Sequence, residues 1–310
     1  MEIDVLIPIA GKTPYVEEAI KSVKKQKGAY NIYLIENNIG SKKFSLDLKL
    51  LAEQYSCEYV FFEKRLPIFE NWNRCLHVGK AKWAAFLHDD DIWSDDFLKQ
   101  SLKYCSSYDI VFYSYKYFQD SLNELPVIKE FIIEDYNNRE DLLVKVFGTY
   151  EHVSSFIFKR DLNLVFPSNF KMIGDQYAIR LLIALNKKIK AAWLHTNSPN
   201  YIRQHPEQLT NMGASIFAAK EKGTTYQKFI IAIQDEGLVL KSFGRKLVKI
   251  YSLEMLTRVF SATLLRRPLT YNLKLFFIVL EKTKSFSFFY NTLFRLVFQN
   301  FIWQYKIKNK

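Results

Sequence analysis

The 310-residue sequence is poor in the residues that punctuate or staple a chain, with 10 Gly, 8 Pro and 3 Cys. So little Gly and Pro excludes collagen-like and low-complexity classes. Cys57, Cys75 and Cys105 are odd in number and form no C-x-x-C pair. That argues against a disulfide framework or a structural zinc site and points to a reducing compartment. No G-x-G-x-x-G follows the first apolar run, and G-x-x-x-x-G-K-[ST] is absent. Both the dinucleotide fingerprint and the P-loop are therefore missing, and a bound nucleotide would need another device for its phosphates. The opening MEIDVLIPIAG carries acids in place of a basic n-region, and its apolar run is too short for a secretory signal. A cytoplasmic protein is expected.

What the chain has is apolar bulk and an uneven charge. Hydrophobic residues make up 49%, enough for a sizeable core. The length suits two domains or one elaborated domain. Residues 1–239 carry 30 basic and 30 acidic side chains, whereas residues 240–310 carry 14 basic and two acidic ones, Glu254 and Glu281. The whole net charge of +12 lies in that last quarter, along with 15 Phe, Tyr and Trp. An anionic membrane surface or a nucleic acid would suit such a tail, and so would a helical cap with a solvated basic face. Its longest weakly charged stretch, Ser285–Tyr305, has Arg295 at its middle. A central Arg costs ~2.5–3.5 kcal/mol on insertion scales, so an interfacial helix is favoured over a span.

Apolar runs rich in β-branched and aromatic residues predict strands at Asp4–Ile9, Asn31–Ile35, Glu58–Phe62, Trp83–Leu87 and Asp109–Ser114. Helices are expected after Thr13-Pro14, over Leu46–Tyr55 and Phe69–Val78, and from Asp95 with Ser94 as cap. Farther on, Leu142–Phe147, Ser154–Phe158 and Gln176–Ala184 read as helix, strand and helix. Alternation at this spacing implies an α/β fold with a doubly wound, mostly parallel, Rossmann-like sheet, in which ligands bind beyond the carboxyl ends of the strands. Three polar clusters fall there: Ala10-Gly11-Lys12, Glu36-Asn37-Asn38 and His88-Asp89-Asp90-Asp91.

Consecutive carboxylates repel, so Asp89, Asp90 and Asp91 form a costly cluster unless a cation or ligand relieves it. A hard divalent ion, Mn²⁺ or Mg²⁺, is typically held by one or two carboxylates plus substrate phosphates. That supplies the missing phosphate device. An acidic surface turn ahead of Asp95-Asp96 is the plainer alternative.

Ile35-Glu36-Asn37-Asn38, the stretch from Asn73 to Lys82, Phe86 through Trp93, Ile173-Gly174-Asp175-Gln176 and Tyr201-Ile202-Arg203-Gln204-His205 together resemble family 2 glycosyltransferases of the GT-A fold. The likeness runs in order over about residues 1–210. It implies a nucleotide-sugar-binding half over residues 1–115, an acceptor-binding half over 116–215, and a C-terminal helical, basic and aromatic extension over 216–310. By resemblance Asp90 is the principal metal ligand, with Asp91 and His205 beside it. Asp89 lies near the ribose, and His88 stands where many members have an acid. Glu36 and Asn37 would read the base, Pro8 and Ala10 would line its pocket, and Arg65, Asn73 and Arg203 would serve the donor. Asp175 would be the catalytic base, a role compatible with a helix cap because the helix N-terminus favours its ionised form.

The implied activity is transfer of a sugar, with inversion, from a nucleotide-diphosphate sugar (a UDP-sugar) to a hydroxyl in bacterial surface-polysaccharide synthesis. The cofactor would be Mn²⁺ or Mg²⁺. The acceptor would be a glycan or lipid-linked glycan, reached from the cytoplasmic face of a membrane to which the tail binds peripherally. Nucleic acid is not an expected partner, and oligomerisation is left open. A sugar nucleotidyltransferase would normally show a Gly-rich phosphate loop, which is missing here. A basic nucleic-acid-binding protein would leave the Asp cluster unexplained.

Overall fold

A computed structural model describes residues 2–11, 14–119, 131–136, 139–148, 151–166, 168, 178–180, 182–183, 186, 188–196 and 198–205. The chain divides into two units, Met1–Val146 with Tyr150–Pro206, and Phe147–Thr149 with Glu207–Lys310. The C-terminal extension, Thr13, Lys12 and Asp175 lie outside the described residues.

The fold is an α/β architecture on an eight-stranded sheet. Its elements are β1 (Glu2–Ile9), α1 (Val16–Lys24), β2 (Ala29–Asn37), α2 (Lys42–Gln54), β3 (Glu58–Phe62), α3 (Ile68–Cys75), β4 (Trp83–Phe86), α4 (Phe97–Leu102), β5 (Ile110–Tyr113), β6 (Tyr115–Phe118), β7 (Phe131–Tyr136), α5 (Arg139–Gly148), β8 (Phe156–Lys159), β9 (Ala191–Thr196) and β10 (Asn200–Arg203). Strand order is β3-β2-β1-β4-β8-β5-β9-β7, and β10 pairs with β6 in a separate two-stranded sheet. The β3-β2-β1-β4 half is parallel throughout, as the alternating pattern predicts. Beyond it the sheet is mixed, because β8 runs antiparallel to both β4 and β5.

β1 explains why a parallel half forms. Ile3, Val5, Leu6, Ile7 and Ile9 are all fully buried, so both faces of the strand are covered and its apolar residues need not alternate with polar ones. Each such side chain contributes ~1.5–3 kcal/mol on burial. Helix α1 buries Val16, Ala19, Ile20 and Val23 at three- and four-residue steps, the stripe expected of a helix laid on a sheet. The three cysteines are free.

Among the element boundaries that differ from the sequence reading, two have a local reason. Helix α2 begins at Lys42, ahead of the apolar Leu46, because the Ser41 hydroxyl accepts the Phe44 N–H. Helix α4 begins at Phe97, and Ser94 does not cap it. Ser94 is instead buried, with its N–H donated to Asn200 Oδ1 at 3.0 Å and its hydroxyl at Tyr113. Of the expected Gln176–Ala184 helix, positions 178–180 and 182–183 are helical and the rest lies outside the described residues.

One ion pair ties β1 to the turn directly after β8. The fully buried Asp4 carboxylate takes the Arg160 guanidinium at 2.7 Å, the Ala81 N–H at 2.8 Å and the Asn31 amide at 3.0 Å. Gly79 allows that approach. It has φ +81°, and a Cβ there would stand 2.3 Å from Asp4 Oδ2. Gly40 has a similar φ of +77° but open space around it. Gly40→Ala should therefore cost only the left-handed strain, ~1–2 kcal/mol. Gly79→Ala should cost clearly more, read as a larger fall in urea midpoint at equal m-value.

Candidate active site at the carboxyl end of the central strand

The site grows from strand β4. Past Phe86 the chain continues through Leu87, whose N–H still bonds Leu6 O at 3.0 Å, and turns over Asp89 and Asp90, with the Asp91 N–H returning to His88 O. Strand β10 closes against this turn. Ile92 and Tyr201 exchange both backbone hydrogen bonds, at 2.9 and 2.8 Å. The sequence therefore brings Arg203 and His205, more than a hundred residues away, to the Asp turn.

The three aspartates part company here. Asp91 turns inward and is 1% exposed. Its Oδ1 accepts the Arg203 N–H at 3.0 Å and its Oδ2 the Ser154 hydroxyl at 2.6 Å. Asp90 stays part-exposed, its side chain 14% accessible, and its Oδ2 lies 3.1 Å from His205 Nε2. Burial, and then the neighbouring Asp90 charge, push both Asp89 and Asp91 well above the usual carboxylate range. The repulsion expected from the sequence is thus present, and it centres on Asp90.

Arg203 holds the turn from behind. It is 2% exposed, lies 3.9 Å from the Tyr15 ring centroid and 4.5 Å from that of Phe118, donates Nε–H to Asp90 O at 3.0 Å and pairs with Glu18 at 2.6 Å. Its guanidinium is aimed at protein groups from α1 and the Asp turn. Tyr15 also packs against the His205 ring, centroids 5.6 Å apart.

Ser154, unremarked in the sequence, is the hub. Its hydroxyl donates to Asp91 and accepts the His88 N–H at 3.0 Å. Its carbonyl accepts the Trp93 indole N–H at 2.7 Å and the Asn200 amide at 3.2 Å. His152 and Glu151, just before it, are both buried, and Glu151 accepts the Trp193 indole N–H at 2.9 Å. No periodicity marks Ser154, since it precedes β8 in a short 3-10 turn, Val153–Ser155.

The residues expected to read the base are turned into the protein. Glu36 is fully buried, with Oε1 accepting the Ser45 hydroxyl at 2.9 Å and Oε2 the Tyr59 hydroxyl at 2.6 Å. Asn37 exchanges two 2.8 Å bonds with the Leu66 backbone and takes the Arg74 guanidinium at 2.9 Å. Asn73 likewise exchanges two bonds with the Phe166 backbone, at 2.6 and 2.7 Å. Glu36 and Asn37 are held this way because β2 runs on through Asn37. At the open rim, Arg65 donates to Ala10 O at 3.2 Å, above the buried Pro8.

Asp90 and His205 are the pair whose chemistry suits a donor-bound cation. One carboxylate oxygen and one imidazole nitrogen, part-exposed at the cleft, form a donor set compatible with Mn²⁺ that leaves coordination positions for phosphate oxygens. Asp91, expected beside them, offers its oxygens inward. The hub makes a direct prediction. Ser154→Ala strands a buried carboxylate oxygen and a backbone N–H, so it should cost about 1–3 kcal/mol of stability by urea unfolding. An unchanged midpoint would show that the hub does not hold the turn.

Comparison with known proteins agrees with this arrangement. Residues 4–165, just over half of the chain, match the sequence model for "Glycosyl transferase family 2". No curated protein matches the sequence significantly. Among solved structures, S. aureus TarS 1–349 in complex with UDP-GlcNAc superposes with a TM-score of 0.63 at 14% identity, over 91% of this chain and 82% of that one. The mannosyltransferase PcManGT from Pyrobaculum calidifontis, in complex with GDP-Man and Mn²⁺, gives 0.56 at 13% identity, over 94% and 83%. These structural likenesses are likenesses of fold. With the family match, the parallel β3-β2-β1-β4 half and the Asp turn at its carboxyl edge, the chain belongs to glycosyl transferase family 2 and is a glycosyltransferase of the GT-A fold.

Proposed function

We propose that this enzyme transfers a sugar from a UDP-sugar to an acceptor hydroxyl with inversion, using Mn²⁺ or Mg²⁺ held by Asp90 and His205. The observation that carries the reading is the presentation of Asp90. Its part-exposed carboxylate lies 3.1 Å from His205 Nε2, and its backbone carbonyl accepts the Arg203 Nε–H. The fold neighbours complexed with UDP-GlcNAc, and with GDP-Man and Mn²⁺, support a donor of this class.

In this reading Asp89 and Asp90 meet the donor, and Arg65 with the backbone of Pro8 and Ala10 borders the nucleoside. Glu36, Asn37, Asn73, Arg203 and Asp91 shape the cleft through the bonds described above. When bound, the cation would act as a Lewis acid on the departing diphosphate. Asp175, assigned by resemblance and lying outside the described residues, would take the proton from the attacking hydroxyl. Such a base contributes typically ~10²–10⁴-fold. The acceptor would be a glycan or lipid-linked glycan of a bacterial surface polysaccharide. The basic aromatic tail would bring the enzyme to the cytoplasmic face of the membrane. Among the described residues, no helix is long and apolar enough to cross a membrane.

Three outcomes follow. Chelation, or Asp90→Asn, should abolish transfer from UDP-sugars while circular dichroism stays unchanged; full activity in either case would reject the metal-bridged donor. Asp175→Asn should lower kcat by about 10²–10⁴-fold with donor KM nearly constant. Near-normal kcat would place the base elsewhere. The full chain should float with anionic liposomes in a salt-sensitive manner, and a chain ending at Leu240 should not. Equal flotation of the two would remove the tail from membrane binding.

A further inference from the structure

Behind the cleft-facing pair lies a second convergence of ligating atoms. His88 Nδ1 stands 3.5 Å and His152 Nδ1 3.7 Å from the same oxygen, Asp91 Oδ2, and the three atoms lie within 4.8 Å of one another. Both separations exceed the ~2.7–3.2 Å of a sound N–H···O hydrogen bond. They fall close to the edge of a tetrahedral site instead, since ligands at ~2.1 Å from zinc lie ~3.4 Å apart.

The surroundings are buried and closely packed. Asp91 and His152 are buried, His88 is part-buried, and the imidazoles meet edge to face with centroids 5.1 Å apart. The Ser154 hydroxyl fixes the direction of the shared oxygen at 2.6 Å, and the Ser154 N–H points at His152 Nδ1 over a long 3.3 Å. A cation would take over that weakly used lone pair. His88 Nε2 is buried with no hydrogen-bond partner.

We infer that His88, Asp91 and His152 form a second metal site, for a borderline divalent ion such as Zn²⁺ and not for Mg²⁺. Two imidazole nitrogens and one carboxylate oxygen favour zinc over ions that demand oxygen ligands. Water completes the fourth position. The ion fastens the Asp turn to the Val153–Ser155 segment, so its work is to hold the turn's shape. The site is distinct from the Asp90–His205 pair and does not rest on the donor reading.

The test uses untagged full-length protein stripped by chelator, with Asp90→Asn as background to disable the cleft pair. Zn²⁺ is titrated in competition with a chromophoric chelator. One equivalent should bind, and excess Mg²⁺ should not displace it. Adding His152→Gln, which keeps an acceptor for the Ser154 N–H, should weaken binding by more than the ~10–100-fold typical of losing a supporting contact around a metal. Absence of saturable binding in the background chain, or unchanged affinity with His152→Gln, overturns the site. If His152→Gln fails to fold, zinc-edge X-ray absorption of the loaded Asp90→Asn chain decides. Two imidazole nitrogens with an oxygen shell support the site, and any shell lacking two imidazoles refutes it.

Discussion

Everything at this site depends on the burial of one carboxylate. Asp91 sits 1% exposed at the end of a strand that is itself covered on both faces. A carboxylate so placed must be hydrogen-bonded, because its desolvation otherwise goes uncompensated. Its two oxygens therefore recruit the Arg203 backbone from β10 and the Ser154 hydroxyl from the segment before β8. Those two bonds draw distant parts of the chain onto one turn. They also fix which way the turn faces, so that Asp91 is buried while Asp90 stays part-exposed beside His205.

The same logic distinguishes residues that bind from residues that position. Arg203 has the charge to hold a diphosphate, yet its guanidinium lies between Tyr15 and Phe118 and reaches Glu18 and the Asp90 carbonyl. Its positive charge is paired with Glu18, behind the turn. Glu36 and Asn37 follow the pattern. Strand β2 carries them past the point where a loop would have released them, and their polar atoms are used up on Ser45, Tyr59, Leu66 and Arg74.

Much of the first half was legible in the sequence. β1, β3 and β4 came from β-branched and aromatic runs, and α1 from its three- and four-residue stripe, because burial there is simple and local propensity agrees with it. The Asp turn was legible as a cluster whose repulsion required explanation. What was not legible is what depends on contacts distant in sequence. The antiparallel insertion of β8, the diversion of Ser94 into the core and the hub role of Ser154 each rest on partners 60 or more residues away. Asp91 was expected with Asp90 on the metal because spacing cannot say which of two neighbouring side chains points inward.

The central claim is that the turn presents Asp90, with His205, to a cation shared with the donor diphosphate. Thermal unfolding of the full chain with a UDP-sugar, with Mn²⁺, and with both tests it directly, since a ligand of the native state raises the melting temperature in proportion to its binding. The account predicts a rise with donor and Mn²⁺ together that exceeds the sum of the two separate effects, and that vanishes in Asp90→Asn. A donor that stabilises the protein equally with and without Mn²⁺, or that does so undiminished in Asp90→Asn, would contradict it.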